Sequence, residues 1–234
     1  MLQDRDTLRP LQKRVLALLA DLHVPRGWTL TGGAALAGFY TGHRETRDID
    51  LFWYGEDLLG RIPQDVVALL RAAGLDARNL QTTPTFARLV ARDSVESVVV
   101  DLVATPELPL LPPNSRTVHS KQILVESEHD IAVNKVTTLL SRCEIRDLWD
   151  LQVLLERGAS LRTLLEAAPR KDGGFSPVTL AWLVRQMPLE RLAKDSGLSD
   201  DLATRLASFR DTLVEQLVDL AAEEDSDSST GLEM

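Results

Sequence analysis

The chain has 234 residues, 44% hydrophobic and 26% charged, a composition that suits one large globular domain or two small ones. It excludes a mostly disordered chain, a collagen-like fibre and a coiled-coil rod. With no apolar run near the roughly 18 residues of a membrane span, no signal-type apolar core and one cysteine, Cys143, neither a membrane partner, a disulfide nor a cysteine-based zinc cage is expected, and the cytoplasm is the expected compartment. Net charge is −9, and residues 221–234 hold five acids and no base, so residues 1–220 stand at −4. A broad basic surface for duplex DNA is not indicated, whereas a local basic groove stays compatible with that balance.

In chain order, apolar residues recur at helical spacing over 11–22, and Pro25 and Gly27 end that helix. A short strand over 28–30, a tight turn at 31–33 and a helix over 34–40 follow, then a strand over 49–53 and a helix over 65–73 closed by Gly74. The β-rich runs 86–91 and 95–103 read as adjacent antiparallel strands. Beyond a proline-rich loop, 122–125 reads as a last edge strand. From His129 to Ala222 the pattern is helical, with breaks near Gly158, Gly173-Gly174, Pro188 and Gly197. The expected organisation is an α/β domain over 1–125, a helical domain over 126–222 and an acidic, disordered tail over 223–234.

The chemistry concentrates in Thr31-Gly32-Gly33-Ala34 and, downstream, in Arg44-Glu45-Thr46-Arg47-Asp48-Ile49-Asp50-Leu51-Phe52. Residues i and i+2 of a strand share a face, so Asp48 and Asp50 stand together while Ile49 turns to the core. Two carboxylates at about 4 Å repel by roughly 4 kcal/mol at an effective dielectric of about 20. A divalent cation turns that repulsion into binding, and oxygen-only ligands suit Mg²⁺ or Mn²⁺. Asp101 interrupts the run Val98-Val99-Val100-Asp101-Leu102-Val103, where an acid is costly without a partner. If its strand lies beside the first, three carboxylates meet, an arrangement suited to two metal ions and in-line attack on phosphorus. Gly32 and Gly33, before a helix, let the backbone and its free N–H groups approach a polyphosphate. Neither a P-loop nor a dinucleotide fingerprint occurs.

A second cluster lies in the helical part: Lys135, Arg142, then Arg146-Asp147-Leu148-Trp149-Asp150-Leu151. Lys135 and Arg142 fall within about 20° on the helical wheel and about 10 Å apart along the axis, a spacing suited to gripping phosphates. Asp147 falls inside the apolar stripe and so requires a partner, such as Arg142, Lys135 or Arg146. It orients the basic groups, contacts an acceptor or forms a structural salt bridge. Cys143 and Trp182 read as core of the helical part.

These residues together resemble the AbiEii/AbiGii-type nucleotidyltransferase toxins of type IV toxin–antitoxin and abortive-infection systems. The likeness rests on Gly-Gly-x-x-Leu, Arg-x-Thr-x-Asp-Ile-Asp-Leu-Phe, a later strand aspartate, a helical Lys and Arg-Asp-x-x-Asp-Leu, over roughly residues 11–157. It implies a DNA-polymerase-β-like fold, an α/β (α+β) domain with a mixed sheet followed by a helical domain. It implies that Gly32, Gly33 and Ala34 hold the triphosphate of an NTP, that Asp48 and Asp50 ligate Mg²⁺, and that Asp101 is third acid and general base. Lys135 would contact phosphate, with Arg142 beside it, and Asp147 or Asp150 would be the acid of the last motif. The wider superfamily usually has Gly-Ser where this chain has Gly32-Gly33, which removes a hydroxyl contact to phosphate. The expectation is an Mg²⁺-dependent nucleotidyltransferase acting on a tRNA 3′ end, a toxin with a cognate antitoxin. A small hydroxylated acceptor of the aminoglycoside kind or a protein side chain, and a non-catalytic nucleotide-binding protein, are the alternatives.

Overall fold

The computed structural model describes residues 7–22 and 27–230, with side chains as far as residue 223. His23, Pro25 and the last four residues of the expected tail lie outside the described residues. Two compact units divide at Ile131 and Ala132. Among the described residues, no helix is long and apolar enough to cross a membrane.

The first unit is built on a seven-stranded mixed sheet. Its strands are β1 (Thr29–Thr31), β2 (Asp48–Tyr54), β3 (Asp76–Thr82), β4 (Phe86–Arg92), β5 (Ser97–Thr105), β6 (Asn114–Val118) and β7 (Lys121–Val125). They lie in the order β3-β4-β5-β2-β1-β7-β6. The pairs β2–β5 and β1–β7 are parallel, and the remaining neighbours are antiparallel. Ile49, Leu51 and Trp53 are fully buried, as are Val100 and Leu102, while Asp48, Asp50, Phe52 and Tyr54 are half-buried on the opposite face. Helices α1 (Pro10–Leu19) and α3 (Ile62–Ala72) contribute Leu11, Val15, Leu16, Leu19, Val66 and Leu70 to the core. This burial sets the register. A one-residue slip of β2 would expose three large apolar side chains, at about 1.5–3 kcal/mol each, and bury two aspartates.

Two strands escape the sequence reading. The β3 run Asp-Ala-Arg-Asn-Leu-Gln-Thr buries one residue of seven, and on an edge it needs no alternating pattern. The other edge strand is β6, so the segment over 122–125 is β7, an interior strand between β1 and β6. The helix expected over 34–40 starts earlier, as α2 (Gly32–Leu36), and continues as a π-helical turn, Ala37–Thr41.

Helix α4 (Glu128–Ser141) begins in the first unit and continues into the second. The second unit holds α5 (Ile145–Glu156), α6 (Leu161–Ala167), α7 (Pro177–Arg185), α8 (Leu189–Asp195) and α9 (Asp200–Thr230). Ser160 and Ser176 cap α6 and α7, their hydroxyls accepting from the N–H groups of Thr163 and Thr179. Gly158 and Gly197, at φ +103° and +65°, interrupt the helical run. Helices α5, α7 and α8 pack on α9, with Leu151, Leu180, Val184, Leu206 and Leu213 buried. Trp182, expected in this core, is 62% exposed because α7 turns Leu180, Ala181 and Val184 inward instead. Cys143 lies in the α4–α5 connection at φ +45° rather than within a helix. The backbone of α9 runs helically to Thr230, through the first residues of the segment expected to be a disordered tail.

Candidate active site

The half-buried face of the sheet carries one polar row across four strands. Arg88 on β4 pairs with Asp101 on β5, Asp101 with Asp50 on β2, and Asp50 with Thr31 on β1. Residues paired across a sheet project to the same side, so Asp101 stands beside Asp50, and Asp48 lies two residues along that face. The three aspartates read from the sequence therefore share one surface.

Asp101 is fully engaged by a residue the sequence reading did not single out. Arg88 donates from Nε to Oδ1 at 2.8 Å and from a terminal nitrogen to Oδ2 at 2.7 Å. The carboxylate is almost buried and the guanidinium half in solvent. Hydrogen bonding and charge from Asp101, with weaker fields from Asp48 and Asp50, hold the Arg88 pKa above its ordinary value. A local signal existed for this pair. Asp93 Oδ1 accepts from the N–H groups of Val95 and Glu96, at 2.8 and 2.7 Å, tying a four-residue turn. Counting outward from that turn pairs Arg92 with Ser97 and, four steps on, Arg88 with Asp101.

Gly32 makes room for Asp50. It sits at φ +66°, and a Cβ there would lie 2.9 Å from Asp50 Cγ and closer still to Oδ2. Gly33 is tight against Arg44, whose guanidinium nitrogen lies 2.7 Å from where a Cβ would be. The absent side chain at 33 thus leaves space that a cation occupies. Ala34, next in α2, is fully buried.

The row ends on a second residue missed by the sequence reading, an acid. Glu126, fully buried, accepts from the hydroxyls of Thr31 and Tyr54, the latter at 2.6 Å, and its N–H donates to Leu30 O at 2.9 Å. Burial and the adjacent Glu126 carboxylate push the Tyr54 pKa far up, so the phenol remains a donor. Gln12, a fully buried polar residue on α1, fixes the approach to β2. Its Nε2 donates to Thr46 O and Asp48 O, both at 3.2 Å.

In the second unit, Lys135, Arg142, Asp147 and Asp150 come together. Lys135 Nζ lies 2.7 Å from Asp147 Oδ1 and 2.7 Å from Asp150 Oδ2, and Arg142 Nε donates to Asp147 Oδ2 at 2.9 Å. Lys135 is 7% exposed, Asp147 and Asp150 are buried, and Arg142 is half exposed. Burial alone would lower the Lys135 pKa, yet the carboxylates of Asp150 and Asp147 overcome it and hold the ammonium above its usual range. Burial likewise opposes the charge on Asp147, but Lys135 and Arg142 keep its pKa below the ordinary value. Of the partners open to Asp147, both Lys135 and Arg142 are used. Two cations balance two anions in this cluster, and a further carboxylate, Glu144, lies 3.9 Å from Arg142 Nε.

The oxygen-only donor set of Asp48, Asp50 and Asp101 fits a hard divalent cation, and Gly32 leaves the Asp50 carboxylate the space it needs. Among the described residues, no three His, Cys, Asp or Glu side chains are disposed to hold a metal as they stand. On this face Asp101 is turned to Arg88 with both oxygens.

A comparison with curated proteins returns no match. Among solved structures, the chain is similar to MenT4, a nucleotidyltransferase toxin from Mycobacterium tuberculosis, at 17% identity over 91% of this chain and 90% of that one, with a TM-score of 0.54. It is also similar to a structure from Helicobacter pylori, at 17% identity over 90% and 94% of the two chains, with a TM-score of 0.50. At this identity the likeness concerns the fold, an α/β nucleotidyltransferase fold with a helical C-terminal region. The sequence profile of the AbiEii nucleotidyl transferase toxins of type IV toxin–antitoxin systems matches residues 14–227. With that match spanning most of its length, the chain belongs to the AbiEii family and is a nucleotidyltransferase.

Proposed function

We propose that this protein is an Mg²⁺- or Mn²⁺-dependent transferase that moves an NMP from an NTP to the 3′ hydroxyl of a tRNA. It acts as the toxin of a cytoplasmic toxin–antitoxin pair. The observation that carries the reading is the register placing Asp101 beside Asp50, with Asp48 on the same face. Asp48, Asp50 and Asp101 would hold the divalent ion, whose chemistry when bound is to neutralise charge on the phosphate oxygens.

The remaining work belongs to the protein's own groups. The backbone of Gly32, Gly33 and Ala34, with the Arg44 guanidinium over Gly33, takes the polyphosphate. Asp101 accepts the proton of the attacking hydroxyl as the new O–P bond forms and pyrophosphate leaves. Within the second unit, Lys135 positions Asp147 and Asp150. Positioning and charge stabilisation supply most of the rate. The antitoxin is supported by membership of a type IV toxin family, and the tRNA acceptor by the motif resemblance alone.

The test incubates total RNA with each labelled NTP in turn. Wild type labels tRNA with one or more of them, and Asp50→Ala lowers labelling by about 10²–10³-fold or more. Equal labelling by both removes Asp50 from the site, and label recovered only in protein or small molecules reassigns the acceptor.

A further inference from the structure

Resting on the metal-site reading above, we propose that Arg88 is a built-in competitor for the divalent ion. Its guanidinium locks Asp101 in the metal-free protein and leaves when that carboxylate becomes a ligand.

The argument starts from which partner is able to move. Asp101 sits on β5 between β4 and β2, nearly buried, with its backbone tied into both ladders. Arg88 is 48% exposed and lies over the Phe86 ring, 5.8 Å from its centroid. Its charged end can swing into water without burying a charge. Exchange at Asp101 therefore proceeds by departure of Arg88.

Charge explains why such a residue stands there. Asp48, Asp50 and Asp101 on one face repel, and Arg88 lies within the field of all three. Its fork satisfies both oxygens of Asp101, the strongest geometry available to a carboxylate–guanidinium pair. The same two oxygens are what Asp101 offers a metal. A doubly charged ion and a guanidinium cannot share them closely without like-charge repulsion, so each excludes the other. Arg88 acts on metal affinity through Asp101 and is a positioning residue.

Mn²⁺ titration without nucleotide, following loss of the free-ion EPR signal, reads this directly. Arg88→Gln should bind Mn²⁺ about tenfold more tightly than wild type, the size expected of a forked pair with one partner half in solvent. Arg88→Lys keeps the charge, loses the fork and should fall between; it is the variant read should Arg88→Gln fold poorly. In an Asp101→Asn background, adding Arg88→Gln should give no tightening, because the latch has lost its catch. Unchanged or weaker binding by Arg88→Gln overturns the proposal, as does a full tenfold gain persisting in Asp101→Asn, which would mark a general field effect. Wild-type Mn²⁺ affinity in Asp50→Asn would overturn the metal-site reading itself. An Asp50→Asn loss with no Arg88 effect would overturn the latch alone.

Discussion

Gly32 couples backbone conformation to chemistry at one atom. Its φ of +66° is in the left-handed region, where a Cβ costs about 1–2 kcal/mol, and that Cβ would also displace the Asp50 carboxylate. Gly32→Ala should lower the melting temperature by a few degrees while reducing NMP transfer by about 10²-fold, since a small misplacement of a reacting group has that effect. Thermal melts alongside label incorporation check the split, and transfer near the wild-type level would reduce Gly32 to a turn residue. Gly33 differs in kind, because Arg44 fills the space its side chain would take. A side chain at 33 would have to shift that flexible guanidinium, so the hydroxyl missing from this position is matched by a cation next to it.

Pairs of elements decide where the charged groups meet. Asp93 ties the β4–β5 turn, the turn sets the hairpin register, and the register brings Arg88 opposite Asp101. Gln12 of α1 does comparable work for the segment entering β2. Between α4 and α5 the link is ionic: Lys135 on one helix binds Asp147 and Asp150 on the other. Lys135→Met should destabilise the fold by about 3–5 kcal/mol, because it removes the ammonium that two buried carboxylates share and leaves Arg142 as the cation on Asp147. Adding Asp147→Leu should recover part of that loss. Urea unfolding of the single and double variants measures it, and a Lys135→Met chain as stable as wild type would mean that these acids find another partner.

At the scale of the whole molecule, the same cluster makes stability depend on pH at both extremes. Asp147 titrates below its ordinary 3.8 in the folded protein. The unfolded chain therefore takes up the proton first, and the contribution is complete above about pH 4 and is lost as pH falls through the folded value. Lys135 titrates above its ordinary 10.5. Its contribution is complete below that pH and is lost as pH rises through the folded value. Unfolding free energy measured across pH should show a plateau between these limits, and Lys135→Met should have a shallower alkaline fall, the remainder belonging to Tyr54, whose raised pKa costs stability in the same direction above its ordinary 10.0. An alkaline limb of equal size in the variant would assign it to other groups.

Helical spacing and the glycine and proline breaks made the second unit legible, since α5 to α9 begin and end near Gly158, Gly173-Gly174, Pro188 and Gly197. Alternation on β2 made the shared face of Asp48 and Asp50 legible as well. These are local matters, decided by residues within a few positions of one another. By itself the sequence determined the acids, the glycine turn, the mixed α/β front and the helical back, together with the family they resemble. The tertiary structure alone decided that β5 lies parallel to β2 with Asp101 beside Asp50, and that Glu126 closes the row through Thr31 and Tyr54. It also decided that Lys135 is buried between two carboxylates. The physical reason is that strand order and the pairing of buried charges arise from contacts between residues far apart in the chain, which no local pattern encodes.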